Sequence, residues 1–114
     1  VIVNTANNDA IDAKMIKKIY LGKTKSFANG NKIKVFSLAS SQEETEHFRQ
    51  KALKKSNSQF KSYWSKLAFT GKGTPATELD NAAAIIAAVK SNPNAIGFIN
   101  SSAVNTDVKV VKSF

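Results

Sequence analysis

Two adjacent serines, Ser40 and Ser41, stand at the position in this chain best suited to chemistry. Each has a glutamate three positions later, Glu43 and Glu44, which is the spacing of a capping box at a helix start. The amide end of a helix attracts anions, because its first N–H groups lack intrahelical partners. The hydroxyls of Ser40, Ser41 and Thr45 would add donors to the oxygens of a small anion. The spacing therefore predicts a plain helix cap or an oxyanion site, and both interpretations stay open.

The acidic residues beside the serines oppose an anion. Glu43 and Glu44 can occupy the amide groups themselves, and they would repel a phosphate that carries a charge of about −1.5. Each like-charge contact at close range costs on the order of 1 kcal/mol or more. With Glu46, they form a triplet typical of a first helical turn, where acids complement the helix dipole. We interpret the triplet in that way, and not as paired carboxylates for acid–base catalysis.

Residues for catalysis or metal binding are scarce. His47 is the only histidine, and the chain has no cysteine. A catalytic triad, a thiol nucleophile or a Cys-type zinc site would each need groups that are absent. We therefore predict that the protein is not an enzyme and that it uses no metal and no cofactor, and we interpret His47 as a surface or half-buried structural residue.

A loop at 70–75 carries two glycines and reads Thr-Gly-Lys-Gly-Thr-Pro. It lacks the spacing of a P-loop and the third glycine of a dinucleotide-binding motif. Its backbone N–H groups could still line an anion site beside a lysine. Lys72 and Thr74, together with Asn4 after the first predicted strand, are second-rank candidates from neighbouring loops for the oxyanion site at Ser40, Ser41 and Thr45. A plain turn is the alternative.

The length of 114 residues and a hydrophobic share of 42% predict one domain over 1–114 with a single core. No segment approaches the roughly 20 apolar residues of a membrane span. The sequence begins with Val1 and not with Met, so we expect that a signal peptide has been removed.

The net charge of +9 comes almost entirely from lysine, because Arg49 is the only arginine. Lysine attracts anions diffusely, whereas arginine provides the planar grip used to read bases. The lysines are spread along every predicted element, and the sequence contains no nucleic-acid reader motif. We therefore rank nucleic-acid binding last and expect no nucleic-acid partner.

Hydrophobic periodicity predicts the element order β-α-β-α-α-α-β-β, a layered α/β domain. The predicted strands cover 1–4, 32–38, 95–100 and 108–111. Four helices are predicted: one ending at Gly22, one from the serines to about Leu53, one capped by Ser56 and Gln59, and one opened by Pro75.

Some of these elements have a predicted buried face. In the second helix the stripe is Thr45, Phe48 and Ala52, and Arg49 is a further candidate for it. In the fourth helix the inward residues are Leu79, Ala82, Ala83, Ile86 and Val89. Trp64 is predicted to lie in the core, and Gly97 to mark a close approach of another element to its strand.

Four segments, taken in order, resemble the phosphate-type periplasmic substrate-binding proteins, in particular their small single-domain branch. They begin with Val-Ile-Val-Asn and include Ile-Tyr-Leu-Gly-Lys, Tyr-Trp-Ser-Lys-Leu-Ala-Phe-Thr-Gly-Lys-Gly-Thr-Pro and Asn-Pro-Asn-Ala-Ile-Gly-Phe-Ile. The segments lie at 1–4, 16–23, 62–75 and 92–99, so the resemblance extends over nearly the whole chain.

The resemblance implies an α/β fold, a single lobe of a type II periplasmic-binding-protein fold with a mixed sheet flanked by helices. It implies periplasmic localisation and a role as the extracytoplasmic solute-binding domain of a phosphate ABC transporter. Expected partners are phosphate or a similar oxyanion, a transporter or sensor protein, and a second copy of the chain. The full-length relatives hold phosphate between two lobes, and this chain resembles the second lobe with a hinge strand.

The anion-binding loop of these relatives aligns with 39–45, which places Ser40, Ser41 and Thr45 at the site. The small branch often carries an arginine where Thr45 stands, and Arg49, one turn later, would replace it only by pointing at the loop. The alternative hypothesis is a protein-interaction or sensory module that has this fold and no small-molecule ligand.

Overall fold

Five strands form one mixed sheet in the part of the chain that the structure describes. The structure is a computed structural model and describes residues 1–7, 11–27, 30–39, 42–71 and 76–113. The strands are β1 (Ile2–Asn4), β2 (Lys34–Leu38), β3 (Thr77–Leu79), β4 (Ala95–Gly97) and β5 (Val108–Val110). The helices are α1 (Ala13–Tyr20), α2 (Glu43–Ala52), α3 (Asn57–Phe69) and α4 (Ala82–Ser91), with a short 3₁₀ turn at Ser101–Ala103. No described helix is long and apolar enough to cross a membrane.

The strand order is β3-β2-β4-β1-β5. Strand β2 pairs in parallel with β3 and β4, whereas β1 pairs antiparallel with β4 and β5. Four strands therefore run in one direction, and their carboxyl ends meet the beginning of β1, where Ile2 lies opposite both Gly97 and Val110. We call this end of the molecule the carboxyl end of the sheet.

Helices cover both faces of the sheet. A Cβ atom added at Gly97 would lie 2.7 Å from Ile85 Cγ2, so the missing side chain lets α4 approach β4, as predicted. Phe98, the next residue, points to the opposite face because side chains alternate along an extended chain. There its ring stacks on Phe48 of α2, with centroids 4.1 Å apart. Helix α4 thus packs on one face and α2 on the other.

Helices α1 and α3 pack beside α2. The Tyr20 ring meets Phe48 edge-on at 4.7 Å, and Trp64 Nε1 donates to the Tyr20 carbonyl oxygen at 3.1 Å. Gly22 ends α1 with φ +73, the left-handed conformation predicted for it. A Cβ atom there would lie 2.9 Å from the Trp64 ring, so the glycine also makes room for that ring.

Several local predictions are confirmed. Ser56 and Gln59 form the predicted capping box at the start of α3, with N–H···O distances of 2.9 and 3.2 Å. Trp64 is buried, and so are the predicted residues of the α2 stripe, which are Thr45, Phe48, Arg49 and Ala52.

The predicted start of the fourth helix at Pro75 is wrong. Residues Thr77–Leu79 form strand β3, in parallel register with β2, and helix α4 begins only at Ala82. Asn81 is its N-cap and accepts from Ala84 N at 2.9 Å. An asparagine N-cap is a strong start signal, whereas the pairing of a three-residue strand depends on a distant segment of chain.

The later start changes the inward face of α4. Ile85 and Val89 are fully buried, four residues apart, because they meet the space beside Gly97. Ile86 is partly buried and packs against the core, as predicted. Ala83 is exposed, which corrects its predicted burial, and Leu79 belongs to β3. The observed order of regular elements is therefore β-α-β-α-α-β-α-β-β.

Candidate functional site

The N-terminus of α2 lies at the carboxyl end of the sheet, because the chain reaches it directly from the end of β2. Gln42 is the N-cap residue and makes no capping bond with its side chain. Its Nε2 instead donates to the carbonyl oxygen of Asp80, which joins the entrance of α2 to the turn after β3. The predicted capping boxes with Ser40 or Ser41 as N-cap are therefore wrong, since the helix begins at Glu43. Both serines lie outside the described residues.

A groove of about 680 Å³ borders this helix end. One wall belongs to the first turns of α2, and the other to the segment that follows β4. Phe48 and Phe98 also line it, which places the groove beside the stacked aromatic rings. The described residues of the two walls are Glu43, Glu44 and His47 on α2, and Ile99, Asn100, Ser101 and Val104 opposite. Open α/β sheets commonly bind ligands at the carboxyl ends of their strands, which is where this groove lies.

The charges around the groove are mixed. Glu43 and Glu44 bring two carboxylates to the helix tip, and Lys112 brings a cation from the segment after β5. Asn100 is fixed in the far wall, since its Oδ1 accepts from Ser102 N at 3.0 Å and Ser102 Oγ at 2.9 Å. The helix dipole and Lys112 favour an anion in the groove, whereas the two carboxylates oppose it.

Thr45, a first-rank candidate, is fully buried in the first turn of α2. Its Oγ1 donates to the carbonyl oxygens of Ala39 at 2.8 Å and Leu38 at 3.1 Å. These contacts tie the first turn of α2 to the end of β2. They give Thr45 a structural role in positioning the helix tip, and its direct contact with an anion stays a prediction.

Asn4 lies at the opposite end of the sheet from Thr45, because it stands at the end of β1, opposite Val108. Its Nδ2 donates to the Val89 and Lys90 carbonyl oxygens, both at 2.9 Å, and so caps the last turn of α4. The structure thus does not bring Asn4 and Thr45 together. The other two second-rank candidates, Lys72 and Thr74, lie outside the described residues.

Arg49 points toward α3 and not toward the loop before α2. It is 6% exposed, its Nη1 donates to Asn57 Oδ1 at 3.1 Å, and its guanidinium carbon lies 4.1 Å from the centroid of the Phe60 ring. Burial lowers the pKa of Arg49, and the nearby Glu78 carboxylate acts in the opposite direction. Arg49 therefore does not take the place of an arginine beside the serines.

Sequence reasoning missed the far wall of the groove. The signal for it was the polar run Asn100-Ser101-Ser102 directly after an apolar strand, a composition typical of a segment at a strand's carboxyl end. His47 was interpreted as a surface or half-buried structural residue, and the structure places it, exposed, at the groove. Among the described residues, no group of three or more His, Asp or Glu side chains could hold a metal ion.

Comparison with known proteins establishes the fold. No family model and no curated protein matches the chain. A solved structure that is similar is the crystal structure of an ABC-type phosphate transport receptor from Vibrio cholerae, with a TM-score of 0.62 and 20% sequence identity. The match covers 95% of this chain and 42% of the receptor, so the chain spans less than half of the receptor's length. The chain has the predicted fold, the mixed α/β architecture of a periplasmic-binding-protein lobe.

Proposed function

We propose that this chain is the solute-binding lobe of an extracytoplasmic receptor of the phosphate transport type, and that it takes phosphate or another small oxyanion at the N-terminus of α2. The observation that carries the proposal is the structural match of 95% of the chain to part of a phosphate transport receptor. A chain with this fold has its natural ligand position at the carboxyl end of the sheet, and α2 begins there beside a groove.

The chemistry of the proposed site depends mainly on the backbone. Glu43 and Glu44 are the first two residues of α2, so their N–H groups have no acceptor within the helix. Oxygen atoms of a tetrahedral anion in the groove would accept from such groups. Ser40 and Ser41, which immediately precede the N-cap, are proposed to add hydroxyl donors.

The carboxylates of Glu43 and Glu44 set the expected affinity. They line the same groove and repel an anion at contact, whereas the net charge of +9 attracts it only at longer range. We therefore expect the isolated chain to bind phosphate weakly. In the periplasm, a transporter or sensor protein, or a second copy of this chain, would close the groove and exclude water from it.

Calorimetric titration with phosphate and with sulfate tests this proposal. Replacing both groove acids, E43Q/E44Q, should tighten phosphate binding by about tenfold, because two repulsive contacts of on the order of 1 kcal/mol are partly screened by water. Glu46→Gln is the control: it removes one negative charge from the same helical turn, outside the groove, and should change phosphate binding less than either groove acid does. Absence of heat at millimolar phosphate for both the unmodified chain and E43Q/E44Q would contradict the oxyanion proposal.

A second candidate function is a protein-interaction or sensory module without a small ligand. It is favoured by the hydroxyl of Thr45, which donates to two carbonyl oxygens of its own chain, and by the acids at the helix tip. This alternative predicts that size-exclusion behaviour does not change with phosphate and that the E43Q/E44Q variant gains no affinity for it. Tight phosphate binding by a monomer would exclude it.

A further inference from the structure

A second concavity, separate from the groove at the helix tip, lies between α2, α3 and β3. It measures about 610 Å³, within the range of small-molecule sites in proteins. We call it the Arg49 cleft. Its lining includes Ser37, Arg49, Asn57, Phe60, Trp64 and Glu78, none of which borders the groove at the helix tip. It is therefore a distinct candidate site.

The cleft contains a buried cation. Arg49 is 6% exposed, and one face of its guanidinium lies against the Phe60 ring. A guanidinium carries five N–H donors in a planar fork, a shape that matches a carboxylate. Asn57 Oδ1 accepts from Nη1 at 3.1 Å, which fixes the orientation of this fork.

The electrostatic balance around Arg49 also favours an anion. Burial lowers the pKa of the guanidinium, and this effect outweighs the opposing effect of Glu78. A carboxylate brought into the cleft would add a charge-assisted hydrogen bond to the guanidinium.

The rest of the cleft is suited to a flat apolar group. Phe60 and Trp64 lie with ring centroids 6.5 Å apart, and Ala68 and Ala76 add small apolar surface to the lining. The Trp64 ring is held in place, because its Nε1 donates to the Tyr20 carbonyl oxygen. A preorganised aromatic wall lowers the entropic cost of binding a ring.

We propose that the Arg49 cleft binds a small organic carboxylate with a flat apolar body. The carboxylate meets the Arg49 guanidinium, and the body lies against Phe60 and Trp64. Inorganic phosphate lacks the apolar part and is not the ligand of this cleft. The proposal does not depend on an oxyanion at the helix tip, because the two sites share no lining residue among those the structure describes.

Trp64 provides the measurement, because it is the only tryptophan of the chain and lines the cleft. Titration of the whole chain with benzoate should change its fluorescence saturably. Benzamide has the same shape without the charge and should bind about tenfold more weakly or worse, since a hydrogen bond between charged groups is replaced by a neutral one. Equal binding of the two probes, or no saturable change with benzoate, would overturn the proposal.

Two variants test whether benzoate binds in the Arg49 cleft. Arg49→Lys keeps the charge and loses the planar fork, so benzoate should bind about tenfold more weakly. Ala68→Trp fills the cleft from the exposed side of α3 and leaves Arg49 itself unsubstituted, and it should abolish the fluorescence response to benzoate in the folded protein. Ala87→Trp, at an exposed alanine of α4 on the other face of the sheet, is its matched control.

Glu78→Gln tests whether the cleft is built for a simple anion or for a zwitterion, whose cationic group would be attracted by the Glu78 carboxylate. Removing this carboxylate should tighten benzoate binding by about threefold, because its charge is partly screened by water. Fluorescence of the added tryptophans is corrected with a non-binding probe, and thermal unfolding confirms that each variant folds. Benzoate binding that persists in both Arg49→Lys and Ala68→Trp would place it outside the cleft and overturn the proposal.

Discussion

The two ends of helix α2 differ in almost every respect that matters for binding. Its N-terminal end brings Glu43 and Glu44 to a groove at the carboxyl end of the sheet, on residues that remain accessible to solvent. Its C-terminal half buries Arg49 between Asn57 and Phe60 of α3. The N-terminus of α2 therefore lies where a ligand would bind, whereas the positive charge that would suit an anion, Arg49, lies more than one turn later in the same helix.

The comparison shows that position and charge can be separated within one element. The fold determines where the helix tip lies, and it puts that tip beside a groove whatever side chains the tip carries. Charge complementarity depends on individual residues, and here Arg49 points toward α3. A fold match alone therefore identifies the groove but not the chemistry of its ligand.

The largest expected effect concerns the buried end of the helix. Arg49→Ala should lower the free energy of unfolding by about 2 to 3 kcal/mol, because it removes the contact with Phe60 and leaves Asn57 Oδ1 without its donor. Urea unfolding measures the change. Lys51→Ala, an exposed basic residue of the same helix, is the control and should change it by less than about 0.5 kcal/mol. Equal effects would show that Arg49 does not hold α2 against α3.

Thr45→Val tests how the acidic N-terminal end of α2 is held to the end of β2. The substitution keeps the shape and removes the donor to the Leu38 and Ala39 carbonyl oxygens, so we expect a loss of about 1 to 2 kcal/mol. Thr45→Ser retains the hydroxyl and should retain more of the stability. If Thr45→Val unfolds like the unmodified chain but loses phosphate binding, the hydroxyl serves the ligand and not the helix.

The middle of the helix is anchored by Phe48, which contacts Tyr20 and Phe98. Tyr20 donates from its hydroxyl to the Phe36 carbonyl oxygen at 2.9 Å, and Tyr20→Phe should cost about 1 kcal/mol at neutral pH. This bond holds the end of α1 to β2.

Tyr20 also predicts a pH dependence. Burial raises the pKa of its phenol well above the usual value, so the folded state favours the neutral form. The unfolded chain releases this proton above about pH 10, so the contribution of Tyr20 is complete below that pH and is lost as pH rises further. Unfolding at pH 8 and pH 11 should show a smaller difference for Tyr20→Phe than for the unmodified chain. An identical difference would contradict the burial of the phenol.

The smallest effect on stability is expected at the helix tip. E43Q/E44Q removes two acids that complement the helix dipole and should cost about 0.5 to 1 kcal/mol at low salt, and less as salt screens the interaction. Thermal unfolding at two salt concentrations measures it. A gain in stability would show that repulsion between the glutamates exceeds their favourable interaction with the helix.

Local signals in the sequence predict much of the fold. The Ser56–Gln59 box, the left-handed Gly22 and the close approach at Gly97 each depend on neighbouring residues or on one residue type, and each is confirmed. Strand β3 was missed because Thr77–Leu79 is short and becomes a strand only by pairing with β2, more than thirty residues earlier. Tertiary pairing of this kind has no local periodicity.

The candidate site was less predictable than the fold. Asn4 was predicted as a second-rank candidate for the same site as Thr45, and the sheet register places the two residues at opposite ends. The direction of Arg49 could not be read either, because it depends on where α3 packs against α2. Side-chain direction follows from packing between elements, which a linear pattern of residue types does not contain.

The central claim is tested most directly by two-dimensional ¹⁵N NMR, which shows the amide signals that shift when phosphate is added. Benzoate is the comparison ligand. Phosphate should shift the amide signals of Glu43 and Glu44 and leave the Trp64 indole signal unchanged, while benzoate should do the reverse. The account predicts this separation at the two ends of α2. Phosphate shifts confined to the Arg49 cleft, or absent from the first turn of α2, would contradict it.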